Sequence, residues 1–440
     1  MSDGRQGQGQ VAFHGWRIVW GGALIQTLHS GLVFNAFSLI AAQLHSEFGW
    51  SNSTLGGAFA LNRAESGLLG PVQGWMTDRW GSKMVLRLGA VIMAVGLVAF
   101  ATLDSIAEFY IYYLLVALGS SLAGFLPITV TLVHWFERKR SRALAYAQMG
   151  FAVGGMLAFL FGVLLDGVGW RTASLISAAL TLVVILPVAQ FFHQRPADVG
   201  QFVDGIDPDN VPAGTPARAA AQSLVHFTPQ EALRTRAFWF ISLGHASALL
   251  VVGASMAHLA LYLREELGFA GWHVSLVVGA LPAMMGVGQI GGGLLGDRFD
   301  KRKLVTLAML GHGLGLLLLA LADGPVLVWA FVFFHGCAWG VRGPIQSSMR
   351  ADYFGATDFG KIMGYSSLIV MFGMVVGPIL AGVLADATGS FTLGFLILAG
   401  AAASGSLWFF FATPPPAPTR MAEPLDIESR GPGMATAHRN

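Results

Sequence analysis

The chain has 440 residues, of which 54% are hydrophobic and 11% carry a formal charge, and its net charge is +2. A soluble globular domain carries about a quarter charged residues, whereas the mean hydropathy here is +0.62. The composition therefore excludes an ordinary soluble domain and predicts a helical membrane protein, in which the 57 glycines let helices approach closely.

Apolar stretches long enough to cross a bilayer, about 20 residues each, follow one another along the chain. We predict twelve spans, at 16–42, 53–76, 84–103, 109–135, 143–165, 172–192, 238–263, 273–296, 303–322, 326–349, 362–385 and 391–411. A polar tail (1–15) precedes them, and a tail (412–440) that opens on three prolines and is predicted to be disordered follows. Residues 193–237 are predicted to be a linker, in which Thr228 and Glu231 indicate a capped short helix.

The two groups of six spans, 16–192 and 238–411, are copies of one unit. Residue pairs recur at a fixed offset of 219: Glu47/Glu266, Gly74/Gly293, Asp78/Asp297, Arg79/Arg298, Lys83/Arg302, Gly124/Gly343, Tyr146/Tyr365 and Gly154/Gly373. Parallel repeats of hydrophobic helices with a site between them are the plan of one large class of transporters. The predicted fold is therefore an all-α membrane protein of twelve transmembrane helices in two six-helix repeats.

The distribution of Lys and Arg predicts the orientation in the membrane, because cytoplasmic loops carry the excess. Basic residues cluster in loops on the side of both termini, including Arg138, Lys139, Arg140, Arg142, Arg298, Lys301, Arg302 and Lys303. The loops on the other side keep Arg171 and Arg264. We therefore expect both termini, the linker and both tails to be cytoplasmic.

The turns after spans 2 and 8 carry the most specific motif. They read Gly74-Trp-Met-Thr-Asp78-Arg79-Trp-Gly81-Ser-Lys83 and Gly293-Leu-Leu-Gly-Asp297-Arg298-Phe-Asp300-Lys-Arg302. This pattern resembles the cytoplasmic loop signature of the major facilitator superfamily. The resemblance implies alternating access and a latch that stabilises the outward-facing state. In the first turn, the resemblance assigns this latch role to Gly74, Asp78, Arg79, Gly81 and Lys83. In the second turn, it assigns the role to Asp297 and Arg298, but Asp300 stands in the position of Gly81 and weakens that assignment.

Two further segments, 350–355 after span 10 and 382–391 at the end of span 11, resemble bacterial relatives of monocarboxylate transporters and oxalate/formate antiporters. The resemblance implies a small organic anion as substrate, a proton as co-substrate, a monomer and a plasma (inner) membrane location. The chain departs from both groups. Monocarboxylate carriers generally have a Lys in helix 1 and an Asp/Arg pair in helix 8, and the oxalate/formate type has an Arg in helix 8 and a Lys in helix 11, none of which this chain has within those helices. Lactate, oxalate and formate are therefore not carried over as substrates.

Ionisable residues at membrane depth indicate function, because their burial costs a few kcal/mol or more. Three formal charges lie deep in the predicted spans, at Arg63, Glu65 and Arg342. A guanidinium binds a carboxylate in bidentate fashion and stays charged, so Arg342 is the first candidate for binding an anion. The helical spacing places three other candidates of span 10 on the same helix face as Arg342: His335, Trp339 and Gln346.

The N-terminal repeat supplies the remaining candidates. Glu65 shares a face with Asn62 and Ser66, and a carboxyl in a low-dielectric site can carry a proton. Gln26 and His29 form a polar patch on helix 1 and are predicted to bind substrate. Arg63 lies on a glycine-rich face and is predicted to be structural or gating. The alternative for Arg342 is neutralisation by helix-end carbonyls near Gly343 and Pro344 or snorkelling to the cytoplasm, and the alternative for Glu65 is a structural pairing with an arginine.

We therefore expect a proton-coupled carrier of a small, monocarboxylate-like anion. The alternative from the same superfamily is an efflux pump for hydrophobic compounds, although two deep arginines against one deep acid argue against cations. A membrane enzyme would need a motif such as His-Glu-x-x-His, which the sequence lacks, and a transporter-like receptor would be expected to have a longer tail. No cofactor, metal or nucleic acid is expected, and the partners are the substrate, a proton and the lipid bilayer.

Overall fold

The computed structural model describes residues 13–207 and 226–418, which are mostly helical. The predicted tails, except for 13–15 and 412–418, and the middle of the linker lie outside these described residues. The helices, in chain order, are α1 (Gly15–His29), α2 (Ala36–Phe48), α3 (Asn52–Leu68), α4 (Gly70–Trp80), α5 (Ser82–Phe100), α6 (Ile106–Leu122), α7 (Phe125–Trp135), α8 (Arg140–Val188), α9 (Pro229–Leu233), α10 (Arg236–Leu261), α11 (Gly271–Gly296), α12 (Lys301–Ala320), α13 (Pro325–Phe354), α14 (Phe359–Thr388) and α15 (Thr392–Phe411).

Several predicted spans are two helices joined at a local break. A π-helical turn at Ser30–Phe34 joins α1 to α2 within span 1, and Leu69 separates α3 from α4 within span 2. Spans 5 and 6 are continuous in α8, broken only at Gly169, whose φ of +75° favours glycine. In the linker, α9 begins with the predicted capping box, because Thr228 and Glu231 each accept from the other's backbone N–H.

Ten helical segments of the described chain are both long and apolar enough to cross a membrane. The predicted spans 53–76 and 143–165 are not among them. The first is interrupted at Leu69 and carries several polar side chains, and the second is continuous with span 6. Both lie in the helical bundle, so the chain has the predicted all-α, two-repeat architecture.

Each repeat has apolar clusters at both ends. Trp135, Phe136 and Phe192 are buried at the end of the N-terminal repeat that carries the basic loops, called the basic end below. Phe109 and Trp170 are buried at its opposite end. The C-terminal repeat has the same arrangement, with buried residues including Phe238, Phe354 and Phe409 at the basic end and Tyr262, Phe331 and Phe395 at the opposite end.

Glycines let the two repeats approach at the basic end. A Cβ atom on Gly74 would lie 2.1 Å from the carbonyl oxygen of Gly360, and one on Gly293 would lie 2.7 Å from the Cβ of Ala145. Helices α4 and α14, and α8 and α11, therefore pack with their backbones nearly in contact. At the opposite end, Glu47 accepts from Trp170 and Arg171 within its own repeat, and Glu266 accepts from Ser390 and Phe391 within its own.

Candidate functional site

A cavity of about 370 Å³ lies between the two repeats. This volume is in the range of small-molecule sites. Helices from both repeats line it, and the aromatic part of the lining includes Phe34, Tyr113, Phe151 and Trp339. The polar part comprises Gln26, His29, Asn62, Arg63, Ser66, Gln73, Ser120, Ser121, Gln148, His245, Gln289, Arg342, Gln346, Arg350, Ser366 and Ser367.

Arg342 lies on the cavity wall in the middle of α13 and is 2% exposed. Its Nη1 donates to Oε1 of Gln346 at 3.2 Å, one turn further along the helix, and its Nε donates to Nε2 of His312 at 3.4 Å. Trp339 and Gln346, predicted on the same face, also line the cavity. His335, the fourth member of that predicted face, lies instead behind Arg342 and packs against His312 on α12.

The contacts of Arg342 determine the protonation of this histidine pair. A guanidinium only donates, so Nε2 of His312 accepts and the proton of a neutral ring is on Nδ1. That Nδ1 lies 3.1 Å from Nδ1 of His335 and donates to it. Both rings are therefore neutral, and His312 orients the guanidinium of Arg342 from behind.

Arg350 corrects the sequence-based prediction. The sequence predicts that span 10 ends at 349 and that Arg350 lies in the following loop, but α13 continues to Phe354 and buries Arg350, which is 1% exposed. Its Nη2 donates to Oγ of Ser366 at 2.9 Å and lies 3.5 Å from Nδ1 of His245. Arg342, Gln346 and Arg350 are spaced at i, i+4 and i+8. This spacing places all three residues on one helix face and could have indicated that Arg350 faces the cavity.

Both of these buried arginines have neutral hydrogen-bond partners. Among the described residues, no carboxylate lies within ion-pair distance of Arg342 or Arg350. The imidazole of His245 is also neutral in this arrangement, because its Nδ1 accepts a hydrogen bond from Nε2 of Gln346 at 2.5 Å. The C-terminal half of the cavity wall therefore carries two uncompensated positive charges.

The part of the cavity wall that the N-terminal repeat forms carries a different set of polar and charged side chains. Gln26 and His29, the predicted substrate-binding residues of helix 1, line the cavity, and Arg63 lies over the ring of Phe34 at 4.2 Å. The predicted glycine-rich face of Arg63 packs on α14, where a Cβ on Gly67 would lie 2.7 Å from Met371. Glu65 is buried behind the cavity wall, and its Oε2 accepts from Oγ of Ser66 at 3.1 Å.

Asp78 and Asp297 each reach across the repeat interface at the basic end. Asp78 accepts from the backbone N–H groups of Gly360 and Lys361 at 3.2 and 2.9 Å. Asp297 accepts from those of Ser141 and Arg142 at 2.9 and 3.4 Å. Burial raises the pKa of Asp78 to about 7 and also raises the pKa of Asp297.

The other residues of the two motifs do not make this contact. Arg79 and Arg298 are exposed, and Lys83 is half-buried. Gly81 ends α4 with a φ of +79°, a conformation that favours glycine. Asp300, its counterpart, has a φ of −58° and caps α12 by accepting from the N–H groups of Arg302 and Lys303, so it leaves the contact of Asp297 in place.

Comparison with known proteins identifies the family. Residues 22–348 and 241–430 match the sequence model of the Major Facilitator Superfamily. The chain belongs to the Major Facilitator Superfamily. It is 29% identical to human monocarboxylate transporter 11 over 89% of this chain and 81% of the relative.

Two further proteins are similar to this chain. A probable sulfoacetate transporter of Cupriavidus necator is 27% identical over 86% of this chain and 89% of its own length. The crystal structure of the human organic anion transporter MFSD10 superposes with a TM-score of 0.69 at 18% identity. It covers 90% of this chain and 99% of the other, which supports the fold alone.

Proposed function

We propose that this chain is a secondary active transporter that carries a small organic anion across the membrane by alternating access, coupled to a proton. The observation that carries the proposal is the pair of buried, uncompensated guanidinium groups, Arg342 and Arg350, on the wall of the cavity between the repeats. A buried charge without a partner is costly, and an anionic substrate would supply the partner. The similarity to carriers named for monocarboxylates and sulfoacetate supports an organic anion.

The conformation fits one half of a transport cycle. With the basic end placed in the cytoplasm by the excess of Lys and Arg, the contacts of Asp78 and Asp297 hold the cytoplasmic side shut. The cavity would then be reached from the outside. Rocking of 16–192 against 238–411 about the cavity would break these contacts and present the substrate to the cytoplasm.

A proton is the proposed co-substrate, and Glu65 its proposed carrier. One carboxyl oxygen of Glu65, Oε1, has no hydrogen-bond partner among the described residues, while the other is linked through Ser66 to the cavity. A carboxyl that loses its solvent favours the protonated form. We place the carrier as a monomer in the plasma (inner) membrane with both termini cytoplasmic.

Uptake by the purified protein in liposomes tests the proposal. Labelled short-chain mono- and dicarboxylates are offered with and without an inward proton gradient, and gradient-stimulated uptake of at least one anion is expected. Arg342→Gln should abolish that uptake while Arg264→Gln, which changes an exposed arginine, retains it. Absence of uptake and exchange of every anion by folded protein would reject the proposed function, and undiminished uptake by Arg342→Gln would remove Arg342 from the site.

A further inference from the structure

We infer that the preferred substrate is a dianion, a short molecule with two acidic groups such as a dicarboxylate or a sulfonated carboxylate. This inference rests on the proposed anion transport and makes it more specific. Arg342 would bind one acidic group and Arg350 the other, with Gln346 and His245 between them. A monoanion would use only one of the two guanidinium groups.

The two arginines lie on one helix and line the same cavity. They are eight residues apart on α13, which is about 12 Å along the helix axis at 1.5 Å per residue. Their side chains are joined by a row of contacts through two neutral residues, Gln346 and His245. Arg342 donates to Gln346, Gln346 donates to His245, and Arg350 lies 3.5 Å from the same ring nitrogen of His245. A molecule with an acidic group at each end would bridge the two arginines along this row of contacts.

The balance of buried charge favours two negative charges over one. In the N-terminal repeat, the guanidinium of Arg63 already has a partner, because it lies 4.2 Å from the centre of the ring of Phe34. In the C-terminal repeat, the formal charges of Arg342 and Arg350 add up to +2, with no carboxylate at ion-pair distance among the described residues. A dianion neutralises both guanidinium groups, whereas a monoanion leaves one of them buried and unpaired.

Arg350 also keeps hydrogen-bonding capacity for a ligand. Its Nη2 is engaged by Ser366, but its buried Nη1 has no hydrogen-bond partner within the part of the chain that the structure describes. A guanidinium with an unpaired N–H can donate a charge-assisted hydrogen bond to a carboxylate or sulfonate. Arg350 lines the same cavity as Arg342, so one molecule can contact both.

The test compares matched substrates that differ by one charge. Succinate, glutarate and sulfoacetate are offered beside butyrate and the monomethyl ester of succinate, and wild-type uptake is expected to favour the dianions. Arg350→Gln should lower dianion uptake at least about tenfold, as expected for a lost charge-assisted hydrogen bond, and change monoanion uptake less than about twofold. Arg342→Gln should abolish both.

A second measurement uses the wild-type protein alone, so it does not depend on whether a variant folds. Thermal unfolding of the wild-type protein is followed with succinate or with its monomethyl ester, and the dianion should stabilise the protein at lower concentration. Monoanion transport with no dianion preference, or an equal loss of both substrate types in Arg350→Gln, would overturn the inference while leaving anion transport in place. Failure to transport or bind any anion would overturn both.

Discussion

Asp78 and Asp297 are 219 residues apart in the sequence and make the same contact on the two sides of the repeat interface. Each carboxylate accepts hydrogen bonds from backbone N–H groups in the first turn of a helix in the other repeat, α14 for Asp78 and α8 for Asp297. The donors are also related by the offset of 219, since Gly360 corresponds to Ser141. The basic end is therefore held closed by two equivalent contacts, and the close helix packing beside each contact helps to hold it closed.

Gly74→Ala should destabilise this closed end, because the added Cβ would lie 2.1 Å from the carbonyl oxygen of Gly360 and the backbones must separate. Distances between spin labels at Ser51→Cys and Gly271→Cys, both exposed at the opposite end, measure the change in a Cys337→Ala background. A shift toward shorter distances is expected as the opposite end closes. Gly291→Ala is the matched control, since its Cβ would meet no atom within 4 Å; an equal response of the two variants would contradict the prediction.

Acidification should favour the closed basic end, and Asp78 should be responsible for most of this effect. Burial raises the pKa of Asp78 to about 7 in the closed state, an effect that the N–H groups of Lys361 and Gly360 only partly offset. In the released state the carboxyl is solvated and has an ordinary, lower pKa. Because the closed state binds the proton more tightly, lowering the pH from about 8 to about 6 stabilises it, and the preference is lost as the pH rises through about 7.

The same label pair measures this pH dependence. Asp78→Asn should reduce its slope between about pH 6 and about pH 8, since the carboxyl of Asp78 no longer titrates while that of Asp297 remains. Asp300→Asn, at an exposed carboxylate that caps α12 within its own repeat, should keep the wild-type slope. A steep slope in Asp78→Asn would assign the titration to another group.

The repeat and the interface could be predicted because they depend on local sequence. The offset of 219, the apolar spans and the Gly-x-x-x-Asp-Arg turns specify the fold class and place Asp78 and Asp297 at helix ends. The sequence does not predict a buried Arg350, because a charged residue at the end of an apolar stretch is expected in the loop. The structure shows that α13 continues past it, and that tertiary contacts with Ser366 and His245 keep it inside the bundle.

The orientation of side chains around the site required the structure. Helical spacing placed His335 on the face of Arg342, but the width of a helix face leaves open whether a residue meets the cavity or the neighbouring helix. The approach of α12 turns His335 toward His312 and away from the cavity. Similarly, Glu65 shares a face with Ser66, yet Ser66 lines the cavity and Glu65 lies behind it. Such differences depend on which helix packs against which, and spacing within one helix does not contain that information.

Glu65→Gln should uncouple transport from the proton gradient. The substitution keeps the size of the side chain and its ability to accept from Ser66, but removes the proton that the carboxyl would carry. Anion exchange at equal pH should persist, while stimulation of uptake by an inward proton gradient should disappear. Proton entry into the liposomes is measured with an internal pH-sensitive dye. The control is Glu265→Gln, at an exposed position. Unchanged proton coupling in Glu65→Gln would show that Glu65 does not carry the proton and has a structural role.

His312→Leu should weaken anion binding without changing proton coupling. His312 accepts from Nε of Arg342 and holds the guanidinium against the cavity wall, so its removal leaves a buried donor unpaired and the guanidinium less well oriented. The KM for the anion should rise about tenfold, as expected for about 1.4 kcal/mol, while the maximal rate and the response to the proton gradient stay near wild type. His273→Leu, on α11 near the opposite end of the bundle, should leave KM unchanged. Loss of the gradient response in His312→Leu would instead make the neutral pair of His312 and His335 part of the proton path.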